Sequence, residues 1–243
     1  MRPLAPFKAA LEKIGLYVWR TPPRGADLFF DIRSALPKLK LETVFDVGGN
    51  IGQSVDKYLK VLPGAVIHSF EPVQATFDHL KARFAGNSLV HAHHLALGAD
   101  EGQASMALEG PSDTFRIQDS IAAGVATETV PMTTLDRLCA DQSIGHINFL
   151  KIDTEGFDLE VLKGAKQMLK DGNIDLVQVE AGLSPRHDWH VPFEVLKAFL
   201  EGQGHHLFSI VDQAPNFVPG APYLQRCDAV FVSDRMVDLH RRS

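Results

Sequence analysis

Val44-Phe45-Asp46-Val47-Gly48-Gly49-Asn50-Ile51-Gly52 reads as the end of a strand, a glycine turn and the start of a helix. Val44, Phe45 and Val47 suit a short buried strand, and the glycines allow a tight turn and close backbone approach to a ligand. The same alternation repeats downstream. Residues 52–62 follow a helical pattern that stops at Pro63-Gly64, 66–70 form a second strand, 73–84 a second helix and 89–97 a third strand. Strands alternating with helices predict βαβ units and a parallel sheet.

Residues 102–133 are less regular, with short β-like pieces, and 135–140 read as a short helix. A fourth strand at 147–152, a helix from 158 to 170 stopped by Gly172, and a fifth strand at 174–179 restore the alternation. A helix around 195–200 closes at Gly202 and Gly204. The last two strands, 207–211 and 229–232, are separated by a stretch holding Pro215, Pro219, Gly220 and Pro222 without helical pattern. That separation suits an antiparallel return better than a helical crossover.

With 243 residues, 45% apolar and 22% charged, the chain suffices for one large α/β domain and does not fit collagen, coiled coil or wholesale disorder. Residues 41–243 are expected to form that domain, preceded by a helical extension over 1–40. In the extension Leu4, Phe7, Leu11, Ile14 and Val18 recur at three- and four-residue steps, so 4–18 read as an amphipathic helix ending before Thr21-Pro22-Pro23. Such a helix packs on the core, or serves as an arm over a substrate site or a homodimer partner. The net charge of −6 and the scatter of basic residues do not suggest a nucleic-acid partner. Two cysteines, Cys139 and Cys227, without CxxC spacing fit a reducing, cytoplasmic compartment. Lys8, Glu12 and Lys13 interrupt any signal-like run, and no apolar stretch of membrane-spanning length is present.

The glycine turn marks a nucleotide site. Glu71 ends the second strand nineteen residues beyond Gly52, where a carboxylate can accept hydrogen bonds from both hydroxyls of a ribose. NAD enzymes share this geometry but need a GxGxxG turn for the pyrophosphate, and Gly48-Gly49-Asn50-Ile51-Gly52 lacks that spacing. Asp46, two residues before the first glycine, suits the cationic amino group of S-adenosylmethionine better than a pyrophosphate. The competing readings are an NAD-dependent oxidoreductase and a non-catalytic scaffold that binds S-adenosylmethionine.

The motif around Asp46, with Ser69-Phe70-Glu71-Pro72, Ala96-Leu97-Gly98, Thr134-Leu135-Asp136, Lys151-Ile152-Asp153-Thr154-Glu155-Gly156 and Glu160-Val161-Leu162-Lys163-Gly164-Ala165, resembles the successive motifs of the FkbM family of methyltransferases. Asp228-Ala229-Val230-Phe231 is similar to the family's closing strand. Gly49 departs from the alanine the family often carries, a change expected to matter little. The resemblance implies a Rossmann-like class I methyltransferase fold: a mostly parallel seven-stranded sheet with an antiparallel last strand and helices on both faces. It also implies S-adenosylmethionine as cofactor and methylation of a hydroxyl on a small molecule or carbohydrate. Carried over by position, Asp46, Gly48, Asn50 and Gly52, with Gly49 in the same turn, would line the methionine end, Glu71 the ribose, and Leu95 and Ala96 the adenine.

A sulfonium methyl is already activated, so the protein has to align an acceptor oxygen and remove its proton. Asp153, at the end of the fourth strand, and Glu180, after the fifth, are candidates to face one acceptor pocket, with Asp153 also near the cofactor. Two strand-end carboxylates can hold magnesium or another hard divalent cation, but they make a thin shell, and no metal ligands are assigned. Glu155 is explained equally well, and Asp158 better, as an acid in the first turn of a helix, stabilised by its positive end. His91, His93 and His94 do not share a face in a strand and are not expected to bind metal. The segment His187-Asp188-Trp189-His190 follows the fifth strand at the acceptor edge, and His187 is a candidate general base there.

Overall fold

The computed structural model describes residues 11–19, 21–110, 115–117, 124–185, 189–215 and 223–241. Its strands are β1 (Thr43–Val47), β2 (Val66–Phe70), β3 (Val90–His93), β4 (Ala96–Leu97), β5 (Gly102–Ala107), β6 (Arg116–Ile117), β7 (Thr127–Thr133), β8 (Ile147–Ile152), β9 (Ile174–Gly182), β10 (His205–Pro215) and β11 (Leu224–Ser233). Its helices are α1 (Leu28–Ala35), α2 (Gln53–Val61), α3 (Gln74–Arg83), α4 (Leu135–Gln142), α5 (Asp158–Gly164), α6 (Lys166–Lys170), α7 (Phe193–Glu201) and α8 (Asp234–Arg241).

Seven strands form one sheet in the order β10-β11-β9-β8-β1-β2-β3. β1 pairs in parallel with β2 and β8, as do β2 with β3 and β8 with β9, whereas β11 runs antiparallel to both β9 and β10. This is the mostly parallel sheet with an antiparallel last strand that the motifs imply. The chain leaves β1 in one direction toward β2 and β3 and returns on its other side with β8 and β9. The strand order therefore reverses at β1/β8, where open α/β sheets leave a crevice at the carboxyl ends of their strands.

Both faces are covered. On one, Leu135, Leu138, Val161, Leu162, Leu169, Leu196 and Leu200 from α4 to α7 pack on Phe45, Ile147, Leu150 and Val177. On the other, Leu28, Phe29 and Ile32 of α1, Val55 and Tyr58 of α2, Leu80 of α3 and Met236 of α8 pack on Val44, Ile67, Phe149 and Leu176. Thus α1, which precedes residue 40, shares the core of the sheet. β9 is buried along its full length, as a central strand covered on both sides requires.

Several local readings change. The single third strand splits into β3, which stays in the main sheet, and β4, which pairs in parallel with β7 in a small sheet ordered β4-β7-β5-β6. The irregular stretch after residue 102 supplies the rest of this sheet, with Val73, Ala96, Ala104, Met106 and Val130 as its own core. The helix expected over 158–170 breaks at Ala165 into α5 and α6. Gly164 explains how α5 sits so close to the chain beneath it, since a Cβ there would meet the carbonyl oxygen of Gly98 at 2.0 Å. Gly172 does stop the second segment, at φ +69°.

The amphipathic helix expected over 4–18 lies partly outside the described residues, and within them it ends early. Helix persists from 11 to 13. Leu16 N then donates to Leu11 O and Gly15 N to Glu12 O, the paired bonds of a Schellman C-cap with Gly15 at φ +78°. Ile14, Leu16, Tyr17, Val18 and Trp19 beyond it are exposed rather than packed on the core. Among the described residues, no helix is long and apolar enough to cross a membrane.

Candidate functional site

β1 ends in Asp46 and Val47 and turns sharply through Gly48, at φ +85°. A Cβ on Gly48 would stand 1.9 Å from the backbone oxygen of Asp153, so the turn is pressed against the end of β8 and only glycine fits. Gly49 is confined by a side chain rather than by backbone. Its Cβ would lie 2.1 Å from Ser69 Oγ, and that hydroxyl donates to Asp46 Oδ2 at 3.0 Å. The glycine that departs from the family pattern is therefore not neutral: alanine would displace the group that holds Asp46.

A cavity of about 250 Å³ opens at this crevice. Of the residues expected at the cofactor, Gly48, Gly49, Asn50, Glu71, Leu95, Ala96 and Asp153 line it. Asp46 lies behind the wall, fully buried, and Gly52 sits under the start of α2 against Phe84. Lys151 fills the space between, with Nζ 2.9 Å from Asp153 Oδ2 and 3.7 Å from Asp46 Oδ1. Burial pushes the Asp46 carboxyl above the usual range, against the pull of Lys151 and Ser69. Burial acts on Asp153 in the same sense, but the charge and hydrogen bond of Lys151 outweigh it and keep Asp153 low, with His190 and Arg226 adding to the effect. Burial alone would lower Lys151; Asp153 and Asp46 instead hold it as a firm ammonium.

Glu71 is fixed by the backbone it follows. Its Oε2 accepts from Asn50 N at 3.0 Å and its Oε1 from Val73 N at 2.9 Å. Burial nevertheless pushes its carboxyl up to about 7. Each oxygen keeps a lone pair for a further donor. Phe70, Met106, Phe115, Ile117 and Phe157 complete the apolar part of the wall. Sequence reasoning missed all five as ligand-facing residues. Met106 and Ile117 come from β5 and β6, with Phe115 directly ahead of β6, in the stretch that reads as irregular, and nothing in its pattern announces a cavity wall.

Next to the Asp153 end of the cavity lies a second group of polar residues. Glu155, in the left-handed region at φ +55°, precedes α5 rather than occupying its first turn, and its Oε2 accepts from Trp189 Nε1 at 2.7 Å. Glu180 is buried in β9, with Oε1 paired to Arg226 of β11 and Oε2 3.4 Å from His190 Nε2. Arg116 lies over the Trp189 ring, 4.2 Å from its centroid. Asp158 fits its structural reading: buried in the first turn of α5, it accepts from Gly156 N, and burial together with the charge of Asp153 pushes it up to about 7. His187 lies outside the described residues. His190, the last residue of the segment expected at the acceptor edge, is the one that meets Glu180; Arg226, forty-six residues from Glu180 in sequence, carries no local signal.

The three histidines of the third strand do not gather around one point. His91 and His93 share a face and stack on His68 of β2, while His94 turns away to stack on Phe77. Burial lowers both His68 and His93 to about 4, so they are neutral packing groups near neutral pH.

Residues 46–207 match the methyltransferase FkbM domain. The chain belongs to the FkbM methyltransferase family. Among curated relatives, this FkbM protein is 28% identical over 148 residues to the hexuronic acid methyltransferase AglP of Haloferax volcanii, an alignment covering 60% of this chain and 59% of the archaeal one, less than two thirds of its length. It is 25% identical over 198 residues to Methyltransferase 1 of Beauveria bassiana, covering 72% of this chain and 76% of the fungal protein. Among solved structures, magnesium protoporphyrin IX methyltransferase of Synechocystis PCC 6803 with bound SAM superposes with a TM-score of 0.47 at 10% identity, over 95% of this chain and 78% of the other.

The family's cofactor is S-adenosylmethionine, and the cavity fits it. Gly48 leaves no room for a side chain where the turn meets Asp153, Glu71 keeps two acceptor positions, and the apolar wall suits a flat base.

Proposed function

We propose that this FkbM protein transfers the methyl group of S-adenosylmethionine to a hydroxyl oxygen of a small molecule or carbohydrate. Glu71 accepts the ribose hydroxyls, Leu95 and Ala96 flank the adenine, and the Gly48–Asn50 turn, backed by Asp46 and Gly52, meets the methionine end. When bound, the cofactor supplies a methyl group already activated by its sulfonium.

The observation that carries the acceptor side is Asp153, which lines the cavity as a carboxylate that Lys151 keeps ionised. Such a group is a weak base before reaction. It is well suited to orient an acceptor by accepting a hydrogen bond from its hydroxyl. The proton becomes strongly acidic as the oxygen gains its third bond, so a weak carboxylate then suffices to take it. Lys151 holds Asp153 in place, and Asp46 keeps Lys151 from swinging into the cavity. Glu180 acts beside Asp153 through its contacts with His190 and Arg226. Similarity to a hexuronic acid methyltransferase supports a carbohydrate acceptor.

The test follows release of S-adenosylhomocysteine on mixing the protein and cofactor with a panel of sugars, uronic acids and other hydroxylated compounds. Asp153→Asn is expected to lower turnover by about 100-fold while S-adenosylhomocysteine affinity stays within about threefold. Unchanged turnover would remove Asp153 from the mechanism.

A further inference from the structure

We propose that Glu155, Glu180 and His190 form a binding site for a divalent cation of the manganese class at the acceptor edge of the cavity. One ligand atom from each lies within 4.8 Å of the other two, and among the described residues no other trio of His, Cys, Asp and Glu meets that spacing. The three come from separate elements: the turn after β8, the body of β9 and the segment before α7. Their convergence is a tertiary feature.

The details suit ligands of one ion better than an ion pair. Glu180 Oε2 and His190 Nε2 stand 3.4 Å apart, long for a charge-assisted hydrogen bond. Two ligands at right angles around one ion, each bonded at about 2.2 Å, stand about 3 Å apart. Both carboxylates are also oriented by an outer donor, Arg226 on Glu180 Oε1 and Trp189 Nε1 on Glu155 Oε2, the arrangement that fixes carboxylate ligands around metals. The backbone carrying Trp189 and His190 is pressed onto the ends of β8 and β9. A Cβ on Gly156 would meet Trp189 O at 2.3 Å, and one on Gly182 would meet His190 O at 3.1 Å.

Glu180 and His190 are buried, whereas Glu155 lines the cavity, so protein closes one side of the site and open positions face the other. Lys151 is engaged by Asp46 and Asp153, and Arg226 pairs with Glu180 through the oxygen other than the one that faces His190. Two carboxylate oxygens and one imidazole suit manganese better than calcium, which prefers oxygen alone. On the acceptor reading given above, on which this role rests, the open positions would take the acceptor hydroxyl and lower its pKa.

The site is tested by titrating the full chain with Mn²⁺ and following the resonance of free Mn²⁺, with S-adenosylhomocysteine affinity as the control for folding. One ion per chain is expected. Glu155→Gln, Glu180→Gln and His190→Ala should each weaken it by about 100-fold and Trp189→Phe by about tenfold, while S-adenosylhomocysteine affinity changes by less than about twofold. If Glu180→Gln fails to fold, the half-buried Glu155 still gives the decisive variant. Absence of saturable Mn²⁺ binding, or equal binding by wild type and Glu155→Gln, would overturn the site. Because the readout is ion binding, a wrong acceptor class would leave this result untouched.

Discussion

The two halves of the cleft are built differently. The cofactor half is made of backbone: a turn with no space for side chains, a carboxylate tied to two main-chain amides, and consecutive residues from the ends of β1 and β2. The half proposed for the acceptor is made of side chains that reach one another from β9, β11, the turn after β8 and the segment before α7. A backbone site tolerates little change and recurs wherever the same ligand is bound. A side-chain site can be rebuilt without disturbing the sheet, which is how one fold accommodates many acceptors.

If that contrast holds, the largest effect should follow from adding one methyl group to the backbone half. Gly48→Ala forces a clash with Asp153 O at a positive φ, and is expected to cost about 3 kcal/mol of stability, read as a fall in Tm, and to abolish S-adenosylhomocysteine binding. Glu71→Gln should come next, weakening S-adenosylhomocysteine by about 30-fold, the loss of two charge-assisted bonds softened by the remaining amide. Calorimetry across pH sharpens this prediction. Glu71 is raised to about 7 in the free protein, and hydroxyl donors favour its ionised form. Wild-type affinity should therefore tighten as pH rises toward 7 and level off above it, and the Gln variant should lose that slope. Gly49→Ala should be milder, about fivefold in affinity, because Ser69 can rotate away at the cost of its bond to Asp46.

The smallest effect lies in side chains that do not line the cavity. His68 and His93 are depressed to about 4 in the folded chain, against 6.5 in the unfolded one. The unfolded state binds protons first, so their contribution to stability is complete above pH 6.5 and is lost as pH falls toward 4. His68→Phe should flatten the decline in denaturant midpoint between pH 6.5 and 4.5 and change little at pH 7.5.

The backbone half was readable in advance for the reason that makes it rigid: glycines at a strand end and an acid at the next strand end are close in sequence and have few other uses. The parallel sheet followed from the same alternation, and even the antiparallel return followed from four Pro and Gly residues between the last strands. Gly15, by contrast, is a short-range signal that the helical spacing of Leu11, Ile14 and Val18 overrode. Of the small sheet only short β-like pieces were legible, because its strands are brief and irregularly patterned, and nothing local marks Met106 and Ile117 as a cavity wall. Arg226 and the pairing of His190 escaped because their meaning depends on Glu180, which only the folded sheet brings to them.

β11 enters the sheet between β9 and β10, although β10 precedes it in the chain. During synthesis β9 and β10 therefore emerge with no direct pairing available to each other, and β9 keeps an open edge until residues 224–233 arrive. The last strand works as a keystone, closing two gaps at once and delivering Arg226 to Glu180 as it does so. A ribosome-bound intermediate lacking it would present a long apolar edge to its neighbours. Completion of the acceptor half would then be one of the final events of folding, after the glycine turn has already taken shape.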